Sequence, residues 1–371
     1  MAKNIRELPF TELVERVYQI ARAESTNDES RIRAAINDEY LRNIPNKEDW
    51  RFLIANSAIV CTIPYNDGTV AINTSDTALT GTNTTWTSDM QGRLLKFTDN
   101  PNVYTVRSFL ATTSLLINPP LSEDINITAG AYNLYQPFYA LAPDFGRFQK
   151  NIALQKFQGG RPSAIREVQG ESEYRDFYNS SPGVPEKVRL LDMGTAGLKH
   201  VELIPPPLKA YVFPYDYVRA LPPMRETTAG TATISASGGT VTFQAGARVA
   251  EMTTGDFFRV DALGTGEDSE WYRILALDVA NSQATLNLTF GLSGAIAANY
   301  TVCNAPLMPN ELHLAILKGA VMQVMADQTD PTFALAASER TAILMEARKL
   351  YKSRVYDQDI ETVAEDYHYR R

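Results

Sequence analysis

The sequence predicts an α+β chain: a discontinuous helical-bundle and mixed-β scaffold carrying two inserted antiparallel β-sandwich or barrel-like modules. Three observations predict it. Helical periodicity is confined to the two ends of the chain. Two stretches between them are rich in Thr, Ser, Asn and Gly, with short alternating apolar runs. Those two stretches also repeat one another in order and spacing.

Residues 1–57 open the scaffold. Thr11 is a candidate N-cap, and Leu13, Val14, Val17, Ile20 and Ala21 follow on one face. Asp28 or Ser30 suits the cap of a second helix, whose face is Ile32, Ala35, Ile36 and Tyr40 and which Pro45 stops. Trp50, Phe52 and Ile54 then alternate, as in a half-buried strand.

Residues 58–138 form the first β module. Its strands are read at Thr69–Ile72, Arg93–Phe97, Tyr104–Arg107 and Ser114–Ile117. Residues 139–225 read as a mixed α/β second part of the scaffold. Pro143-Asp144-Phe145 opens a turn or short helix, and Pro162 precedes a helical pattern through Ile165 and Val168. Val188–Leu191, Val201–Ile204 and Ala210–Val218 read as strands. The last two are joined through Pro205-Pro206-Pro207, a triplet that removes three ladder donors and so lies outside any central strand.

Residues 226–305 form the second β module. Residues 306–371 return to helix. Asn310 caps a helix through Leu314, Leu317, Val321 and Val324; a second follows Pro331, with Ile343, Leu344, Ala347, Leu350 and Tyr351 inward.

The repeat is read from matched landmarks. Gly68-Thr69-Val70-Ala71-Ile72 answers to Gly230-Thr231-Ala232-Thr233-Ile234, and Gly92 through Phe97 to Gly255 through Val260. A strand led by Tyr104 answers to one led by Trp271, and each module closes on a small residue and tyrosine, Ala131-Tyr132 and Asn299-Tyr300. The offset stays between about 162 and 171, within the reach of small loop insertions.

Composition narrows the chemistry. The formal net charge is −8 and the pI about 5.1, which argues against a surface that grips phosphates and suits one past which DNA slides. Cys61 and Cys303 are too few and too far apart for a disulfide framework and read as buried thiols. The N-terminus lacks an apolar signal core, and no apolar run is long enough to span a membrane, so assembly in a cytoplasm is expected. His200, His313 and His368 lack metal-ligand spacing, and His313 reads as core or interface packing. No nucleophile elbow or phosphate loop occurs, and Gly264 through Asp268 reads as a hairpin tip. The carboxylates Glu171 and Glu173, and Glu267, Asp268 and Glu270, sit in polar surroundings that do not raise a pKa for acid catalysis. No catalytic residue, metal site or cofactor is expected.

Two charge patterns stand out. Arg340, Arg348, Lys349, Lys352 and Arg354 face only Glu346, and then Asp357, Asp359, Glu361, Glu365 and Asp366 follow without a base. The chain closes on Tyr367-His368-Tyr369-Arg370-Arg371, residue types that anchor interfaces. This tail is either solvated or docked on a neighbour. A second basic run, Arg147, Lys150, Lys156, Arg161 and Arg166, faces DNA, an acidic partner or solvent.

Paired N-terminal helices lead into a β region. They are followed by Pro143-Asp144-Phe145-Gly146-Arg147-Phe148, by Val201 through Pro207 with Tyr211 and Tyr217, and by the Pro309-Asn310-Glu311-Leu312-His313 helix with Gly319-Ala320. This pattern resembles head-to-tail adaptor (connector) proteins of tailed bacteriophages, of the tail tubular protein A type, over roughly 1–57, 139–225 and 306–371. Gly81-Thr82-Asn83-Thr84-Thr85-Trp86 before Gly92-Arg93-Leu94 looks like the small β modules inserted into phage virion proteins. The resemblance implies a non-enzymatic structural protein of the virion neck, a homo-oligomeric ring, expected to be dodecameric. Its partners would be the portal protein and tail, nozzle or fibre proteins. Genomic DNA would pass through its channel without specific binding. It further implies a portal or subunit interface at Arg348, Lys352, Arg354, Tyr367, His368, Tyr369, Arg370 and Arg371. A competing expectation is a tail or fibre-associated receptor- or carbohydrate-binding protein, with exposed Trp86 and Trp271 stacking on sugars.

Overall fold

A computed structural model describes residues 7–21, 26–122, 126–149, 152–158, 161–168, 170, 182–192, 198–234, 238–244, 246–261, 270–288, 295–325 and 331–352. The fold is α+β with mostly antiparallel sheets. The chain divides into two compact units, Ile54–Ala220 and the pair Met1–Leu53 with Leu221–Arg371.

The unit Ile54–Ala220 is built, among the described residues, from strands. In chain order these are β1 (Ile54–Val60), β2 (Thr69–Ile72), β3 (Ala78–Thr82), β4 (Leu94–Phe97), β5 (Val103–Ala111), β6 (Ser114–Asn118), β7 (Ile127–Gly130) and β8 (Tyr132–Tyr135). Then come β9 (Phe138–Ala140), β10 (Phe145–Phe148), β11 (Ile152–Gln158), β12 (Arg161–Glu167), β13 (Lys187–Asp192), β14 (Lys199–Ile204) and β15 (Val212–Arg219). A three-stranded sheet, β1-β15-β10, and a five-stranded sheet, β11-β12-β13-β14-β9, share a core that includes Ile59, Phe145, Val201, Leu203, Phe213 and Tyr217. Residues 161–167 are strand rather than the helix that Pro162 suggested. Pro162 lies one step from the β11–β12 turn, opposite Phe157, where a missing N–H costs the ladder little. Pro143-Asp144 makes a turn directly into β10.

Strands β2 to β8 form a separate seven-stranded sheet, in the order β7-β2-β3-β6-β5-β4-β8, around its own core. Its two edge strands, β7 and β8, are joined by one residue, Ala131. The sheet must therefore curl until its edges meet, as in a barrel.

The other unit holds the remaining strands and the helices. Its strands are β16 (Glu226–Thr227), β17 (Ala232–Ile234), β18 (Thr240–Phe243), β19 (Phe257–Val260), β20 (Tyr272–Asp278), β21 (Gln283–Leu286), β22 (Ala295–Ala298) and β23 (Tyr300–Cys303). Their order is β16-β23-β19-β20-β21-β18-β17-β22. Without β16 this is the order of the β2–β8 sheet, strand for strand.

The likeness extends to irregularities. Opposite β7, two steps along β2 (Val70 to Ile72) match three steps (Gly130 to Ile127); β17 and β22 repeat this with Ala232, Ile234, Ala298 and Ala295. A bulge after Val106 in β5 recurs after Ile274 in β20. Each module has a glycine at positive φ before its first strand, Gly68 and Gly230, and another before its third, Gly92 and Gly255. Buried Tyr132 donates its hydroxyl proton to Asp67 O at 2.7 Å, and buried Tyr300 donates to Ala229 O at 2.6 Å. Each acceptor immediately precedes the positive-φ glycine, so the tyrosine pins the module's entry turn.

The cores differ in one informative exchange. By register, Gly81 on β3 stands where Phe243 stands on β18. In the first module Trp86 lies over Gly81 and packs edge-on to Tyr132, with ring centroids 6.1 Å apart. In the second, Phe243 packs against Tyr300 at 5.1 Å. Each core therefore sets an aromatic ring against its closing tyrosine, delivered from a different position. Trp86 is fully buried with Nε1 donating to Tyr132 Oη, and Trp271 is 7% exposed beneath Arg259, 4.5 Å from its ring. Neither indole is the exposed sugar platform expected from the sequence. Both rings turn inward because burying an aromatic contributes on the order of 2–3 kcal/mol.

Among the described residues the α-helices are α1 (Phe10–Ala21), α2 (Thr26–Asp38), α3 (Asn310–Val324) and α4 (Pro331–Tyr351). Helices from the two chain ends pack together, burying Leu13, Val17, Ile32 and Ile36 from one end and Leu312, Ile316, Val321 and Leu344 from the other. Thr11 is not a cap: α1 already starts at Phe10, and Thr11 Oγ1 donates to Glu226 Oε2 at 2.8 Å. Asn310 is likewise the first helical residue, preceded by Pro309. Trp50, Phe52 and Ile54 do not share a strand. Residues 51–53 form a 3₁₀ turn while Trp50 Nε1 donates to Ile44 O at 2.8 Å. Leu350, expected inward, is 59% exposed, because α4 offers the bundle only a narrow stripe through Ala336, Leu344 and Ala347. Glu15 on α1 pairs with Arg259 on β19 at 2.8 Å, and Phe10 N donates to Asn304 O, so α1 lies on the second β module.

Candidate functional site

A cleft of about 520 Å³ opens in the helical unit, between the end of α2 and helices α3 and α4. It begins with a local irregularity. After Asp38 the helix widens into a π-turn, Glu39–Asn43, whose closing bond runs from Ile44 N to Glu39 O at 3.0 Å. Such wide turns recur at functional sites because they re-aim a side chain out of the regular helical register.

The side chain re-aimed here is Glu39, only 3% exposed. Its Oε1 accepts from Asn43 Nδ2 and Gln323 Nε2, both at 2.8 Å. Its Oε2 accepts from Arg340 Nη2 at 2.7 Å and Nε at 3.1 Å. Four donors on one carboxylate satisfy a buried charge that would otherwise cost several kcal/mol, by the usual order of magnitude. The carboxylate lies directly over Gly319 of α3, where an added Cβ would sit 2.7 Å from Glu39 Cγ. This position therefore excludes any larger residue. Arg42 and Lys47 are exposed at the rim, and Met322 and Phe333 add apolar wall.

The end of α4 is tied down beside it. Arg348 Nε meets Glu48 Oε1 at 2.8 Å and Lys352 Nζ meets Glu48 Oε2 at 3.4 Å. Lys352 also forms an antiparallel bridge with Trp50, and Tyr351 packs edge-on to Phe52 while donating to Glu311 Oε2 at 3.2 Å. Two expected interface cations, Arg348 and Lys352, are thus brought together, on an intrachain carboxylate. Arg354, Tyr367, His368, Tyr369, Arg370 and Arg371 lie outside the described residues. So do Glu171, Glu173, Glu267, Asp268 and the Gly264–Asp268 tip, while Glu270 is described and engaged. Of the second basic run, Lys150 lies outside them; Arg147 and Arg166 sit on β10 and β12.

Nothing in the sequence pattern ties Glu39 to Gly319 and Arg340. The available signal was a charged residue continuing the apolar face of α2, one step before Tyr40.

Other reactive groups are held inert. Burial pushes both the Cys61 and Cys303 thiols up to about 11, so neither is a thiolate at neutral pH. His313 is fully buried, as expected of a packed core residue. Its Nδ1 accepts from Leu8 N at 3.1 Å, while Nε2 faces Pro306 O and Met308 O at 3.2 and 3.1 Å. Burial holds its pKa below the ordinary imidazole range. Among the described residues no group of His, Cys, Asp and Glu is gathered to hold a metal ion, and no helix is long and apolar enough to cross a membrane.

No family model matches the chain, and no curated protein matches it. Among solved structures, translation elongation factor SelB from Methanococcus maripaludis, in its apo form, matches at 11% identity over 68% of this chain. This chain spans 62% of that factor's length, and the TM-score is 0.15.

Proposed function

We propose that the chain is a head-to-tail adaptor subunit of a tailed-phage virion, a structural rather than catalytic protein. In this reading its helical part forms a closed ring and its duplicated β modules are insertions. The observation that carries the proposal is the joining of the two chain ends. Helices separated by more than 270 residues, α2 and α3, build one bundle around the Glu39–Arg340 pair, and two β modules of one topology lie between them in sequence. Such a chain has a scaffold to hold neighbours and spare modules to hold others.

A head-to-tail contact that closes on itself generates cyclic symmetry, which suits a channel of fixed bore. The acidic balance suits a wall past which DNA moves without being trapped. The terminal Tyr367–Arg371 supplies aromatic and bidentate cationic groups for acids on a portal partner. The test is co-sedimentation with portal rings of the full chain and of a chain ending at Asp366. The full chain should sediment with portal and the shortened one should remain in the supernatant. Equal retention of both would refute this role for the tail.

A further inference from the structure

We propose that strand β1 is a pairing edge whose occupant is β1 of a second copy of this chain, antiparallel about a two-fold axis at Ser57. This inference stands whether or not the subunit joins a ring.

The edge is open along its length. β1 ends its three-stranded sheet, with β15 on one side only. Cys61 N, one residue past β1, donates to Tyr211 O at 2.8 Å, so the odd-numbered residues of β1 turn their backbone toward β15. The N–H and C=O groups of Ile54, Asn56, Ala58 and Val60 therefore point away from it, and among the described residues none of these groups has a backbone partner. Asn56 and Ala58 are exposed, and Val60 is 65% exposed. The open window closes at both ends. Thr62 N, the next outward amide, donates to Tyr139 Oη at 3.4 Å, and residues 51–53 form the 3₁₀ turn.

The edge is also unguarded. Proteins blunt free sheet edges with charges, bulges or very short strands. The other edges of this sheet and of its five-stranded neighbour use all three. β10 is bulged and carries Arg147, β11 is bulged and carries Lys156, and β9 has three residues. β1 pairs seven residues with β15 without a bulge, and holds no charged residue and no proline.

Self-pairing matches this edge in register, charge and shape. The two-fold at Ser57 sets Ile54 against Val60 and Asn56 against Ala58 of the second copy. All four are outward residues, so each pair exchanges two bonds, about eight across the contact. The strand is uncharged, so no like charges meet. Val60 already lies opposite Val212, itself 57% exposed, and Ile54 of the second copy would extend that apolar row across a third strand.

The experiment uses the full chain carrying Ser57→Cys; the native Cys61 and Cys303 are buried. The two positions 57 form a non-hydrogen-bonded pair with Cα atoms about 4.5 Å apart, within disulfide reach. After mild oxidation, non-reducing electrophoresis should show linked dimers. Asn56→Cys is more exposed but lies diagonal to its own copy, and should link about five-fold less. Adding Ala58→Pro to Ser57→Cys removes one outward N–H from each copy, spares the β15 ladder, and should lower linkage about five-fold. In the unsubstituted chain, amide exchange over residues 54–60 should slow as concentration rises. Equal linkage at the two cysteine positions would overturn the proposal, as would linkage indifferent to Ala58→Pro. So would exchange independent of concentration together with no linkage in a chain whose circular dichroism matches the parent, a result that leaves the edge to an extended segment of a different protein.

Discussion

Replacing Arg340 with methionine tests the energetic logic of the helical unit. Methionine preserves the length of the aliphatic stem and removes only the guanidinium. Glu39, whose side chain is 4% exposed, then loses two of its four hydrogen bonds and, with them, the positive charge of Arg340. Asn43 and Gln323 remain, and neither carries charge. Breaking a buried pair on one side costs about 3–5 kcal/mol, because the surviving ion is left uncompensated. The 13% exposure of Arg340 lets water approach, which places the expected loss near the lower end, about 3 kcal/mol. The double variant Glu39→Met with Arg340→Met removes both charges and is expected to cost only about 1–2 kcal/mol, giving a favourable coupling of at least ~1 kcal/mol. Urea unfolding followed at 222 nm is the assay, since all four described helices lie in this unit. With a slope of about 1–3 kcal/mol/M, the single variant should lose roughly 1 M or more in midpoint. A single variant within about 0.5 kcal/mol of the parent, or a double variant worse than the single, would refute the reasoning.

Further predictions follow from other buried groups. His313 is held neutral, so the unfolded chain binds its proton more readily than the folded one. Its contribution is therefore complete above about pH 6.5, the unfolded value, and declines as pH falls below it. The helical unfolding midpoint should drop between pH 7 and pH 5, and His313→Gln should start lower but flatten that slope. Gly81→Ala forces a methyl against Trp86, with Cη2 only 2.8 Å away, and against Thr84, which should cost about 1–3 kcal/mol and shift Trp86 fluorescence. An unchanged spectrum and midpoint would count against the packing described. Tyr132→Phe and Tyr300→Phe delete matching hydrogen bonds to the entry turns and should destabilise by about 0.5–1.5 kcal/mol each. The loss at Tyr132 should be the larger, because Trp86 Nε1 is orphaned with it.

Much of the fold was legible in the sequence, and the reasons are local. The repeat announced itself through glycines that the backbone needs at positive φ, Gly68, Gly92, Gly230 and Gly255, and through the tyrosines that close each module. The terminal helices were legible because Leu13, Val17, Ile32 and Ile36 keep strict helical spacing. What failed were segments where one tertiary contact overrides the local pattern. The alternation at Trp50 and Phe52 gave way to a 3₁₀ turn, and the helical pattern after Pro162 gave way to pairing with β11. Trp86 and Trp271 looked like surface aromatics because their neighbours are polar, yet each closes a core or a cation–π contact. The cleft was the least legible part. A glutamate, an arginine and a glycine some 280 and 300 residues apart carry no short-range signature, and only folding brings Glu39, Gly319 and Arg340 together.

The central claim is that the helical unit exists to hold identical neighbours in a closed circle. Electron microscopy of the purified full-length chain, alone and mixed with portal assemblies, measures this directly. The account predicts annular particles of one fixed rotational symmetry, coaxial with the portal in the mixture. Monodisperse single subunits that neither close into rings nor attach to portal under any condition that keeps them folded would contradict it.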